Sequence, residues 1–167
     1  MYNRIEEMRG APEMAFHIVL VEPEIPANTG NISRTCAATG SILHLVRPLG
    51  FSTDDKVLKR AGLDYWDKLN LFYHDSFDEV KEQHPEGRFF CATTKAERTY
   101  TEFEFRDGDF FVFGKETKGL SPDILTQHRE SCIRLPMGAD IRSLNLSNSV
   151  AIVLYEGLRQ TGFLGLH

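Results

Sequence analysis

Two short segments, the continuous apolar run Phe16–Val21 (FHIVLV) and the largely apolar Asp109–Phe113 (DFFVF), constrain this chain most. They are too short for buried helices and lack the polar–apolar alternation of a half-exposed strand. They therefore read as strands covered on both faces, the mark of a parallel sheet in an α/β fold. Parallel neighbours need crossover connections, and helix signals fall in the right gaps. Further strands are expected at Ile42–Val46, Leu69–Tyr73, Arg88–Thr93 and Ser131–Leu135. Helices are expected at roughly Ile32–Ala38 with Gly40 as C-cap, Thr53–Arg60, Ser76–Gln83 with a Ser76/Glu79 capping box, a short turn from Ser121-Pro122, and Asn145–Gln160. The pattern predicts a mainly parallel sheet with helices on both faces. Ligands of such sheets bind beyond the carboxyl ends of the strands, where segments 22–31, 114–119 and 136–145 lie.

With 167 residues, 41% hydrophobic and 26% charged, the chain suits one globular domain, read as residues 16–167. Residues 1–15 are polar, carry Gly10 and Pro12, and read as a mobile leader without the apolar block of an export signal. The cytoplasm is the expected compartment, and no apolar run is long enough for a membrane span. Cys36, Cys91 and Cys132 are far apart in sequence and read as reduced, buried thiols. The net charge of −5 argues against bulk binding to long nucleic acid, DNA included. Local basic groups remain: Lys56, Lys59 and Arg60 in one segment, Lys118 in a loop, and Arg142 in another.

Three loops carry candidate chemistry. Gly114-Lys-Glu-Thr-Lys-Gly119 lets backbone approach a ligand, but Leu120 stands where a P-loop needs Lys. Taken alone it is a tight turn with a solvated tip. Asn28-Thr-Gly-Asn-Ile-Ser-Arg34 is expected to turn into a helix and place Arg34 in its first turn, where a cation opposes the dipole and invites an anion. A surface pair with Glu22 or Glu24 explains Arg34 equally well. Arg142-Ser-Leu-Asn-Leu-Ser-Asn148 crowds a helix start with capping side chains. Tyr155, within that helix, is by default a core residue. The six histidines form no H-x-x-x-H or His/Cys motif, and no G-x-S-x-G is present, so no metal or serine nucleophile is expected.

Together and in this order, Asn28–Arg34, Phe113–Leu120, and Ile133–Met137 followed by Arg142–Ala151 resemble the three motifs of the SPOUT (α/β-knot) RNA methyltransferases. Glu22-Pro-Glu-Ile-Pro26, Asp54-Asp-Lys56 and Arg60–Tyr65 add a likeness to the short tRNA 2′-O-methyltransferases of the TrmL (YibK) type. The resemblance implies a C-terminal deep trefoil knot, a homodimer, and transfer of a methyl group from S-adenosylmethionine, leaving S-adenosylhomocysteine. The implied acceptor is the ribose 2′-hydroxyl of the wobble nucleotide, cytidine or a modified uridine, in the anticodon stem-loop of leucine tRNAs. It implies cofactor contacts at Ala92, Gly114, Leu135 and Ser143, and a catalytic set of Arg34, Asn28, Glu116, Asn145 and Tyr155, in which Asn28, Glu116, Ser143 and Asn145 orient ribose and Arg34 while Tyr155 and Arg142 help hold the tRNA. Arg142, Lys56, Lys59, Arg60 and Lys118 would meet RNA. Alternatives are another tRNA position, ribosomal RNA, or a non-catalytic dimer that senses the cofactor while binding RNA.

Overall fold

A computed structural model describes residues 15–54, 56, 60 and 68–167. The expected leader and Lys59 lie outside the described residues, apart from Ala15. Six strands form one sheet: β1 His17–Val21, β2 Ile42–Val46, β3 Asn70–His74, β4 Phe89–Ala92, β5 Phe110–Phe113 and β6 Cys132–Ile133. Their order is β3-β2-β1-β5-β4-β6, and every pairing is parallel. Helices bounded within the described residues are α1 Pro26–Thr39, α2 Phe77–Gln83, α3 Pro122–Gln127 and α4 Leu146–Gln160, with single 3₁₀ turns at Tyr100–Glu102 and Arg129–Ser131; Lys56 and Arg60 are also helical.

Helices cover both faces, as the continuous strands require. On one face, Ile32 and Cys36 of α1 join Val150, Val153, Leu154 and Leu158 of α4 over Ile18, Leu20, Leu43, Phe111 and Phe113. On the other, Phe77 and Val80 of α2, with Ile124 and Leu125 of α3, cover Val19, Val46, Phe110 and Val112. The approach of α4 is close: a Cβ on Gly157 would stand 2.9 Å from the Phe16 ring and 3.1 Å from that of Phe111. All three cysteines are free and buried.

The strands and most helices fall where expected, within one or two residues. The helix expected at Thr53–Arg60 lies partly outside the described residues. The exception is α1. It begins at Pro26, so Asn28 and Gly30 lie inside it and Arg34 occupies its third turn. Proline suits a first helical position because its missing N–H would be unpaired there anyway. The first-turn argument for an anion at Arg34 therefore falls. Two terminators hold as expected: Gly40 closes α1 in the left-handed conformation at φ 69°, and Asn145 caps α4 by accepting from the backbone N–H of Ser147 and Asn148. The Ser76 side chain accepts from Glu79 N, and the Glu79 carboxylate reaches back to Asp75 N rather than to Ser76.

Strand order sets the site. From β1 the chain steps outward to β2 and β3, then crosses to build the other half with β4, β5 and β6. The reversal lies between β1 and β5, where diverging connections open a crevice at the carboxyl ends.

Candidate active site

The loops after β1 and β5 leave the sheet side by side at that reversal, and they exchange hydrogen bonds. The Glu116 carboxylate accepts from the backbone N–H of Glu24 (2.8 Å) and Ile25 (3.0 Å). In return the Glu24 carboxylate accepts from the N–H (3.0 Å) and hydroxyl of Thr117, and Lys115 donates to Glu22. Helix α1 has no side-chain cap and no acidic residue in its own first turn. Glu116 supplies both from another loop, placing a carboxylate at the positive end of the helix dipole. Glu22 itself sits at φ 54°, a left-handed conformation that costs a non-glycine residue roughly 1–3 kcal/mol and that the surrounding bonds hold in place.

The third loop joins through two amides. Asn28 Nδ2 donates to Glu116 (3.3 Å), and Asn28 Oδ1 accepts from Asn145 Nδ2 (3.0 Å). Asn145 Oδ1 meanwhile caps α4. Asn28 is only 6% exposed, so its amide is fixed by what it bonds rather than by water. A chain Glu116–Asn28–Asn145 therefore brackets segments that are remote in sequence into one wall.

Between them lies a cleft of about 660 Å³, within the size range of small-molecule sites. Its lining includes Asn28, Ala92, Gly114, Glu116, Lys118, Leu135, Arg142, Ser143 and Asn145. All four expected cofactor contacts are thus together, as are three of the five expected catalytic residues. Gly114 is obligatory here: a Cβ would fall 2.1 Å from the carbonyl carbon of Gly119 and 2.2 Å from Leu120 N. The loop folds back on itself through Gly119 N donating to Lys115 O (2.8 Å), with Gly119 at φ 68°. It is a closed turn, so its amides do not splay into the phosphate cradle of a P-loop. Phe113 and Leu135 give the cleft an apolar floor, while Lys118 and Arg142 are exposed at it.

Two expected catalytic residues are elsewhere. Arg34 is exposed on α1 and Tyr155 is 47% exposed on α4, and neither lines the cleft of its own chain. Tyr155 is accordingly not the core residue that the helix pattern favours. Ile152, one turn before it, and Leu144 and Ile25 at the cleft rim are also exposed. Lys56 and Arg60 are helical and exposed. Thr93, Thr94 and Lys95 beyond β4 also line the cleft, which the sequence did not signal except through the neighbouring Ala92.

Comparison with known proteins agrees with this geometry. The model of the SpoU rRNA Methylase family matches residues 15–155. A protein of Methylovorus glucosotrophus (strain SIP3-4), named tRNA (cytidine(34)-2′-O)-methyltransferase, is 52% identical over 151 residues, covering 90% of this chain and 98% of its own. A solved structure described as giving structural insights into the 2-OH methylation of C/U34 on tRNA superposes with a TM-score of 0.85 at 43% identity, covering 90% of this chain and 99% of that one. The SpoU methyltransferase AviRb from Streptomyces viridochromogenes, solved in complex with AdoMet, shares the fold with a TM-score of 0.81 at 22% identity, over 100% of this chain and 64% of that one. The match over residues 15–155 and the 52% identical relative, in agreement with the cleft at the sheet reversal, show that the chain belongs to the SpoU rRNA Methylase family.

Proposed function

We propose that this chain methylates the ribose 2′-hydroxyl of nucleotide 34 in tRNA, the wobble cytidine or a modified uridine of leucine tRNAs, with S-adenosylmethionine as donor. The observation that carries the reading is the Glu116–Asn28–Asn145 bracket, which holds three motif loops around one cleft. The 52% identical tRNA (cytidine(34)-2′-O)-methyltransferase supports the acceptor, and the family's fold-mate solved with AdoMet supports the donor.

The cleft suits that cofactor by its own features. Gly114 leaves bare backbone where any side chain would collide, Ala92 keeps one wall shallow, and Leu135 and Phe113 offer apolar surface to a base. When bound, the cofactor supplies an electrophilic methyl group on a sulfonium. The protein's share is positioning for an in-line displacement. Ser143 and the backbone of Gly114 and Leu135 hold the donor. Asn28, Glu116 and Asn145 fix the loops, acting as positioning residues. The Arg34 guanidinium neutralises the phosphate beside the reacting ribose so that its hydroxyl ionises more readily. Arg142, Lys118, Lys56, Lys59 and Arg60 steer the anticodon stem-loop.

Arg34 and Tyr155 stand outside the cleft of their own chain, which supports a homodimer in which one copy presents them to the cleft of the other. The exposed Ile152 and Tyr155 on α4 suit such a contact. The same reading carries the family's C-terminal knot and a cytoplasmic site of action, where tRNA is found. Edge strand β6 is followed by α4 returning across the sheet to pack on β5 and α1, which suits a threaded chain. Stretching the protein from its ends would leave a contour shorter than the extended chain if it is knotted, and the full length if it is not.

The decisive experiment is mapping of ribose methylation in tRNA after single-turnover reaction with labelled cofactor. Methylation at position 34, lost in Arg34→Ala, is expected; full activity in both Arg34→Ala and Arg34→Lys would remove Arg34 from the mechanism. Mixing Arg34→Ala with Ser143→Trp, each inactive alone, should restore about a quarter of wild-type sites by random reassortment of dimers. No recovery on mixing would show that each cleft is completed by its own chain.

A further inference from the structure

The methyl-transfer cleft uses none of the histidines, yet the fold gathers four of them on the opposite side of β1. His17 opens β1, His44 is central in β2, and His74 ends β3; in the parallel register they descend diagonally along one sheet face. His17 Nδ1 lies 2.9 Å from His44 Nε2, and His44 Nδ1 lies 2.9 Å from His74 Nε2. His84, the residue that closes α2, stands edge-on to both His17 and His44, with ring centroids 5.4 and 5.6 Å away. One ring nitrogen from each of His17, His44 and His84 falls within 4.8 Å of the others.

We propose that His17, His44 and His84 form a binding site for a divalent transition ion of the zinc class, separate from the methyl-transfer cleft. Tetrahedral Zn–N bonds of about 2.05 Å put ligand nitrogens about 3.3 Å apart, so small side-chain rotations convert the present spacing into coordination. Imidazole suits such ions better than it suits magnesium or calcium, and no carboxylate belongs to the set. His74 completes the arrangement from behind. In the metal-bound form His74 Nε2 would accept from Nδ1–H of His44 across their 2.9 Å contact, fixing that ring's tautomer and aiming its Nε2 lone pair inward, the usual outer-shell role. Proton balance is simple. The one proton shared between His17 Nδ1 and His44 Nε2 moves to the other nitrogen of His17, and the ion takes both vacated lone pairs with no net release. His44 is 2% exposed, whereas His17 and His84 are half-buried and leave a route for the ion and a fourth position for water. The bound ion would pin the end of α2 to the first two strands.

The test is titration of the metal-free, full-length protein with Co²⁺ and then Zn²⁺. One Co²⁺ per chain is expected, with visible d–d absorption, no intense thiolate-to-cobalt band, and displacement by Zn²⁺ that raises Tm. His17→Asn and His84→Asn should each weaken binding by more than the ~10–100-fold that loss of an outer-shell partner costs, while His84→Asn leaves methyl transfer unchanged. Lack of stoichiometric uptake by wild type overturns the proposal whether or not the variants fold. Equal uptake by both variants, or thiolate bands that point to the cysteines, overturns it too.

Discussion

Replacing Glu116 by Gln tests whether the bracket organises the cleft. The carboxylate accepts three hydrogen bonds, two from backbone N–H groups at the start of α1 and one from Asn28. Glutamine keeps a single acceptor oxygen and turns its NH₂ toward a donor. The loss is about one hydrogen bond to a charged group, worth roughly 1.5–3 kcal/mol. Loss of the charge at the helix N-terminus adds roughly 0.3–1 kcal/mol. Glu116 is a half-buried loop residue, so this energy falls mainly on closure of the bracket rather than on the core. Taking about 2 kcal/mol, the assembled cleft becomes about 30-fold rarer relative to open forms, and kcat/KM should fall by that factor. Single-turnover methylation of tRNA, with Tm measured alongside, reads both effects. Wild-type kcat/KM in Glu116→Gln with an unchanged fold would refute the reasoning, because the bracket would then be incidental.

Other substitutions probe other links. Gly114→Ala places a methyl 2.1 Å from backbone that has no room to yield, so cofactor binding should be lost by calorimetry while the sheet persists by circular dichroism. Gly157→Ala pushes α4 off the Phe16–Phe111 stack and should lower stability in urea by roughly 1–3 kcal/mol, the usual cost of overpacking. Acid should also destabilise the metal-free protein. Burial, then the neighbouring His84, pulls the His17 pKa from 6.5 down to about 3, so the unfolded state binds the extra proton between those values and stability falls as pH drops through that window. At pH 5 this single group contributes about 2 kcal/mol of lost stability. His17→Asn should remove that share of the acid sensitivity in urea titrations at pH 7.5 and pH 5. His44 and His84 face His17 across its ring and Phe110 stacks on it, so an unaltered pH slope would mean those neighbours carry the whole effect.

The fold was legible because its strongest signals are local. Runs such as FHIVLV and DFFVF have only one comfortable home, and Gly40, Ser76, Ser121 and Asn145 terminate helices by chemistry contained within a few residues. Strand order was not legible from those signals, since nothing local says that β5 lies between β1 and β4. The start of α1 was misplaced for a related reason. Its N-terminus is capped by Glu116 from another loop, so the usual Ser, Thr or Asp signal is missing and Pro26 reads as loop. The candidate site was legible as motifs, and Asn28, Gly114, Glu116, Leu135, Ser143 and Asn145 do converge. Arg34 and Tyr155 were placed with them by resemblance, and they stand apart because a single chain presents them outward. The histidine group was invisible in spacing: its members come from two strands and a helix end, and only parallel register aligns them.

The contact between Asn28 and Asn145 spans 117 positions of the chain. Contacts of such long range form late, because the intervening polymer must first be ordered. A partly synthesised protein therefore possesses most of its sheet before it possesses a working pocket. A chain cut before Asn145 should therefore keep the strand sequences yet lack one arm of the bracket, and no partial pocket is expected from it.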